Sequence, residues 1–183
     1  MNKNNSNIKM LKALCVLVFA VFIFTGCGTI KVAGDFKGMN LAPETKVEVG
    51  KIVNQGNAKE FDDEVQQICK NSLINKFQKE KILWASDTGG IKAILDIYLI
   101  EYQKGDAFKR WLLPGWGATV VTLKAEFKDE KGNTLGIIDC HRTVEAGGGY
   151  TIGAWKTIFN DVADDIYEQF KEKGLKQPEA KKP

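Results

Sequence analysis

The side chains with nucleophilic or metal-ligating chemistry are few. They are Cys15, Cys27, Cys69 and Cys140, a single histidine at 141, and beyond residue 27 two serines, Ser72 and Ser86. A Ser-His-acid triad would need His141 as its base. Ser72 falls in a helical pattern and Ser86 beside a turn, and neither sits on the strand-to-helix elbow that exposes a nucleophile. Cys140 and His141 are adjacent on an alternating segment, so their side chains leave opposite faces of a strand and cannot form a dyad with each other. Cys69 facing His141 is the remaining thiol–imidazole pairing. A metal site would draw on Cys69, Cys140, His141 and Asp139, which lack CxxC or HExxH spacing. Gly115-Trp116-Gly117 has no following Lys-Ser/Thr and precedes a strand, so it is not a phosphate loop. Asp62-Asp63-Glu64 and Asp164-Asp165 sit at helical positions, where they complement the helix dipole or face water. The expectation is a chain with no catalytic residue, no metal and no cofactor.

Cys27 has the clearest chemical context. Lys3, Lys9 and Lys12 precede an uninterrupted apolar run, Ala13 to Phe24, and no acidic residue occurs before Cys27. As a helix that run spans about 18 Å, well short of the ~30 Å hydrocarbon core of a bilayer. A basic start, a short apolar core and the small pair Thr25-Gly26 describe a secretory signal. Phe24-Thr25-Gly26-Cys27 resembles the bacterial lipobox. That resemblance implies cleavage between Gly26 and Cys27, acylation of Cys27, and a membrane-anchored protein whose domain lies in the periplasm. Gly28 stands where an aspartate commonly retains lipoproteins at the inner membrane, which implies the outer membrane, with inner-membrane anchoring as the alternative. An uncleaved anchor from Ala13 to Ile30 would deliver the domain to the same side, because the lysines stay cytoplasmic.

Removing residues 1–26 also removes Lys3, Lys9 and Lys12, which account for the whole net charge of +3. The basic pI is therefore no sign of nucleic-acid binding. Two thiols of structural interest remain, Cys69 and Cys140. They either pair as a disulfide, which the compartment permits, or stay as free buried cysteines.

One further segment carries an interaction signal: Arg110, Trp111, Leu112, Leu113 and Trp116 surround a Pro-Gly corner, where a solvated loop would be polar. It is either a connection packed beneath a helix or an exposed apolar tip for a partner or the membrane interface.

The elements that would position these residues follow from periodicity. Residues 27–44 read as a tether. Thr45 to Val53 alternates as a first strand, with a bulge at Gly50. Asn57 and Glu60 resemble a capping box, which predicts a helix over 58–79 with Phe61, Val65, Ile68, Cys69, Leu73 and Phe77 inward. Ile82-Leu83-Trp84 predicts a short strand. Ile91 to Tyr102 alternates with Ala93, Leu95, Ile97 and Leu99 on one face and Asp96, Tyr98 and Tyr102 on the other. Val121, Leu123, Ala125 and Phe127 define the cleanest half-buried strand, turning through Asp129-Glu130-Lys131-Gly132-Asn133 into a partner over 134–144. Gly147-Gly148-Gly149 breaks the sheet. Trp155, Ile158, Phe159, Val162, Ala163, Ile166, Tyr167 and Phe170 repeat at helical steps, and Gly174 suits the helix end. The expected fold is a single α+β domain over 45–174. It is a two-layer sandwich of four to five largely antiparallel strands with two helices on one face, followed by a disordered tail at 175–183.

Gly105, Arg110, Gly115, Gly117 and Ala118, then an alternating strand and Asp129-x2-Gly132, resemble a family of small Gram-negative lipoproteins catalogued as a domain of unknown function. That resemblance covers most of the domain and brings no catalytic residues. The order of elements more distantly resembles the domain shared by the curli-secretion lipoprotein and the amino-terminal region of TolB, which implies a sheet-plus-helices module used in envelope assemblies. The resulting expectation is a non-enzymatic, lipid-anchored accessory or scaffold protein that binds another envelope component. The alternative is a periplasmic carrier or sensor for a small apolar ligand.

Overall fold

The computed structural model describes residues 29–36, 41–86, 90–113, 115–146 and 151–175. Gly26 and Cys27, the Asp87-Thr88-Gly89 turn, Pro114, the Gly147–Gly149 break and the tail from residue 176 lie outside the described residues. Five strands, β1 (Ile30–Asp35), β2 (Lys46–Asn54), β3 (Lys92–Gln103), β4 (Thr119–Lys128) and β5 (Thr134–Val144), form one sheet in the order β1-β5-β4-β3-β2. The β3-β4, β4-β5 and β1-β5 pairs are antiparallel, and β2 pairs parallel to β3. That parallel pair needs a crossover, supplied by helix α1 (Asp63–Lys79). A short helix α2 (Ala107–Leu112) joins β3 to β4, and α3 (Ala154–Gln169) closes the chain through a π-turn, Phe170–Gly174.

The fold is the expected α+β arrangement. Strict alternation on β4 buries Val121, Leu123, Ala125 and Phe127 and sends Thr122, Lys124, Glu126 and Lys128 to the open face. The buried face meets Val65, Cys69, Leu73 and Phe77 of α1 and Ile158, Phe159, Val162 and Ile166 of α3. Among the described residues no helix is long and apolar enough to cross a membrane.

Several local expectations are corrected. Residues 27–44 are not wholly a tether, because Ile30–Asp35 is a strand paired to β5 with Ile30 opposite Arg142 and Asp35 opposite Ile137. Its side chains are mostly exposed, so it carries no alternation to read; backbone pairing holds it at the sheet edge. Phe36 then enters the core, its ring 5.6 Å from Phe127 and 6.3 Å from Phe170. Leu41 bridges Leu175, which assigns Leu175 to the domain rather than to the tail.

Helix α1 starts at Asp63 rather than at residue 58. The Asn54 side chain donates to Ala58 O (2.8 Å) and accepts from Ala58 N (3.0 Å), which holds the intervening residues as a loop. Asn57 there adopts φ of 54°. The N-cap is Asp62, which accepts from Val65 N at 3.0 Å, while Glu60 accepts from Lys104 N instead of capping. Ile82–Trp84 makes a single bridge at Leu83 to Val47 rather than a strand.

Tyr102 faces the core, opposite to the expected side. The β3-β4 register shifts between Leu99 and Glu101, which leaves Ile100 exposed and turns Tyr102 inward against Phe61 and Phe159.

Candidate functional site

The connection between β3 and β4 is built around one inward arginine. Asp106 caps α2, accepting from Phe108 N (2.9 Å) and Lys109 N (3.1 Å). The next turn leaves through Gly115 (φ 84°) and Gly117 (φ 75°), both left-handed. Gly117 is needed for space as well, since a Cβ there would meet Lys109 Cβ at 2.7 Å and Asp106 O at 2.9 Å. Asp106 N donates to Gly117 O at 2.8 Å, so the loop closes on itself at its base.

Arg110 is 3% exposed. Its Nη1 donates to Gly117 O (2.7 Å) and Thr119 Oγ1 (2.9 Å), and its Nη2 to Thr151 O (3.0 Å). Thr119 passes the chain on by donating to Lys104 O at 2.8 Å. Burial lowers the Arg110 pKa below the ordinary guanidinium value, and the Asp106 charge pushes partly back. One planar fork thus ties α2, the glycine turn, the start of β4 and the segment entering α3. Arg110 is therefore a framework residue and not part of a contact surface, which corrects its place among the expected partner-binding residues.

The other four expected residues are outside. Trp111 is 63% exposed, Leu113 60%, Trp116 51% and Leu112 likewise about half. The geometry follows from the helix: with Arg110 aimed inward, its immediate neighbours must face away. The connection is thus an exposed apolar tip rather than a buried one. Phe108 and Ile152, which the sequence reading did not include, belong to it. Phe108 is exposed with its ring 5.9 Å from Trp111, and Ile152 follows the Thr151 carbonyl that Arg110 holds. The signal for Phe108 was its three-residue step to Trp111; Ile152 had none in the linear sequence. Lys109 Nζ stands 5.6 Å over the Trp116 ring.

The tip shares its end of the sheet with the first described residue. Gly115 N donates to Glu145 O at 2.7 Å. Glu145 Oε1 accepts from Thr29 Oγ1 (3.3 Å) and Thr143 Oγ1 (2.9 Å), and Thr29 N donates to Thr143 Oγ1 at 2.7 Å. At the opposite end, Leu41 N bonds Gly174 O and Leu175 ends the described chain.

The remaining candidate groups are dispersed. Cys69 on α1 and Cys140 on β5 are both free and buried, so the disulfide is not formed. Burial pushes each thiol up to about 12, with the Asp165 carboxylate adding to the effect at Cys140. Cys140 Sγ lies 3.7 Å from Asp165 Oδ2 on the helix side, while His141 Nδ1 pairs with Thr122 Oγ1 at 2.8 Å on the open face. Ser72 donates to Asn160 Oδ1 at 2.7 Å. Arg142 holds α3 to β5, its Nη2 2.8 Å from Asp165 Oδ1. Among the described residues no group of three or more His, Cys, Asp or Glu is arranged to hold a metal.

The fold and the tip together define a class: a one-sheet α+β domain with one helix-covered face and an apolar loop displayed at one end. The family profile described as "Domain of unknown function (DUF4410)" matches residues 31–148, well over half of the chain, and the chain belongs to that family. No curated protein matches it. Among solved structures it resembles a PelC dodecamer from Paraburkholderia phytofirmans, at 17% identity and a TM-score of 0.49, covering 76% of this chain and 97% of that one. A point variant of the same protein aligns at 18% identity and a TM-score of 0.46, with the same coverage of both chains. A crystal structure of an uncharacterized protein aligns at 12% identity and a TM-score of 0.41, covering 74% of this chain and 95% of that one.

Proposed function

We propose that this protein is a non-enzymatic, lipid-anchored component of the cell envelope. Cys27 carries the acyl anchor in the outer membrane, and the periplasmic domain serves as an accessory or scaffold unit that binds another envelope component. The observation that carries this reading is the tip, where Phe108, Trp111, Leu112, Leu113 and Trp116 stand in solvent on a base fixed by buried Arg110. An apolar surface held outward by a rigid frame favours contact with something else. The nucleophile candidates support a non-catalytic role: both thiols are driven toward the protonated form, and His141 and Cys140 leave opposite faces. A carrier would need room between sheet and helices, where Phe77, Phe127, Phe159 and Phe170 are fully buried. The hollow of about 410 Å³ beside His141, shared with Ile30, Val32 and Ile100, lies on the sheet face away from the helices and is open to solvent.

The test is fractionation with palmitate labelling. Wild type is expected to label and to sediment with outer membranes; Cys27→Ala is expected to lose the label and leave the outer-membrane fraction. A Cys27→Ala chain that still fractionates like wild type would sink the lipid-anchor reading. Crosslinking in intact cells that recovers only an isolated monomer, with no lipid or protein adduct, would sink the accessory role.

A further inference from the structure

We infer that the envelope component met by the tip is the bilayer that holds the chain's own anchor, so that Phe108, Trp111, Leu113 and Trp116 rest in the lipid interface beside the acyl chains of Cys27. This rests on the lipid-anchor reading above and adds a second membrane contact to it. Three observations carry it.

The first is position. Thr29 is tied through Glu145 and Thr143 to the strand end that also holds Gly115. Cys27 lies two residues before Thr29, and two residues reach about 7 Å even when fully extended. An anchor at Cys27 is thereby confined to the tip's end of the sheet, whereas Leu175 ends the described chain at the far end. The second is composition. Trp and Phe flanked by Leu, with Lys109 lying against the Trp116 ring and Lys104 Nζ 3.9 Å over the Trp155 ring, match a membrane interface, where aromatic rings sit at headgroup level and lysines keep their ammonium in water. The third is exposure. The tip's Trp side chains are more than half exposed, and Phe108, Leu112 and Leu113 stand out beside them, so the rings are free to enter an interface as a group. With the acyl group already supplying attachment, the tip sets orientation: two contacts at one end stand the sheet up from the membrane, with the Asp129–Asn133 turn pointing away.

The acylated protein beginning at Cys27, carrying Trp84→Phe and Trp155→Phe, reports on this directly. It is reconstituted into phosphatidylethanolamine–phosphatidylglycerol vesicles with or without brominated acyl chains. Brominated lipid is expected to remove most of the emission of Trp111 and Trp116, and to leave the emission largely intact in a bound companion protein that keeps only Trp84, beside Lys92 at the far end of the sheet, and carries Trp111→Phe, Trp116→Phe and Trp155→Phe. Full attachment through Cys27 with no quenching overturns the inference and leaves the lipid-anchor reading standing. Shielding from aqueous iodide without lipid quenching, accompanied by self-crosslinking, assigns the tip to a second copy and overturns it equally. If mass spectrometry finds Cys27 unacylated, the anchor reading fails by itself. Flotation of that chain then decides the tip: bound and quenched upholds it, unbound overturns it.

Discussion

Arg110 and Trp111 are neighbours with opposite fates, and substitution separates them. Arg110→Ala removes the guanidinium's bonds to Gly117 O, Thr119 Oγ1 and Thr151 O, while Gly117 O keeps Asp106 N and Thr119 keeps its bond to Lys104 O. Each hydrogen bond from a charged donor contributes about 1.5–3 kcal/mol. Relief of the guanidinium's own desolvation offsets part of that, and the net loss expected is about 2–4 kcal/mol. A domain of this size loses roughly 2–4 °C per kcal/mol, so the midpoint should fall by about 5–15 °C. Arg110→Lys should fall between, since an ammonium keeps the charge but cannot span three acceptors in a plane. Trp111→Ala and Trp116→Ala expose no buried acceptor and should stay within about 1 kcal/mol of wild type. Thermal and urea unfolding followed by far-UV circular dichroism measure all four, with the urea shift expected in midpoint and not in slope. An unmoved midpoint for Arg110→Ala, or a collapse on replacing either tryptophan, would reverse the assignment of inside and outside at the tip.

Other outcomes follow from the same structure. Gly136→Ala places a Cβ against the Phe36 ring and should cost about 1–3 kcal/mol, most of it recovered in a Phe36→Ala background where the clash is gone; additive losses in the double variant would disprove the contact. Both thiols, pushed up to about 12 from 9.0, should alkylate roughly 10³-fold more slowly than an ordinary cysteine in the folded protein and at the ordinary rate in urea, read by mass spectrometry. The Thr134 hydroxyl, with Lys128, holds Glu126 below the ordinary glutamate value. Its contribution to stability is therefore present above that value and lost as pH falls through the lowered one. Glu126→Gln should consequently flatten the acid limb of stability against pH and leave the limb above neutrality unchanged.

Legibility tracked how strongly burial imprints on sequence. β4 and α3 were readable because every second or every third-and-fourth residue is forced inward. β1 was not, because a strand at the sheet edge buries little and is held by backbone bonds that any residue can make. Alternation alone puts Tyr102 on the wrong face, since a one-residue register shift inverts all that follows and nothing in Ile100-Glu101 announces it. The helix start was misplaced because Asn57 and Glu60 satisfy a local pattern that the Asn54–Ala58 clasp overrides. At the tip, residue types marked the segment as unusual, but the inward turn of Arg110 depends on Thr119 and Thr151, which only the fold brings beside it.

The pairing of β1 with β5 has a consequence for the order in which the molecule completes itself. Thr29 and Thr143 are joined across 114 positions, so the strand synthesised first has no edge to dock on until nearly the whole domain is available. A chain delivered from its amino end holds Ile30–Asp35 unpaired while β2 to β5 assemble, and the sheet is finished by its earliest segment. Because that segment follows Cys27 so closely, the anchor proposed there would be drawn against the domain only as the sheet closes, in a single late event.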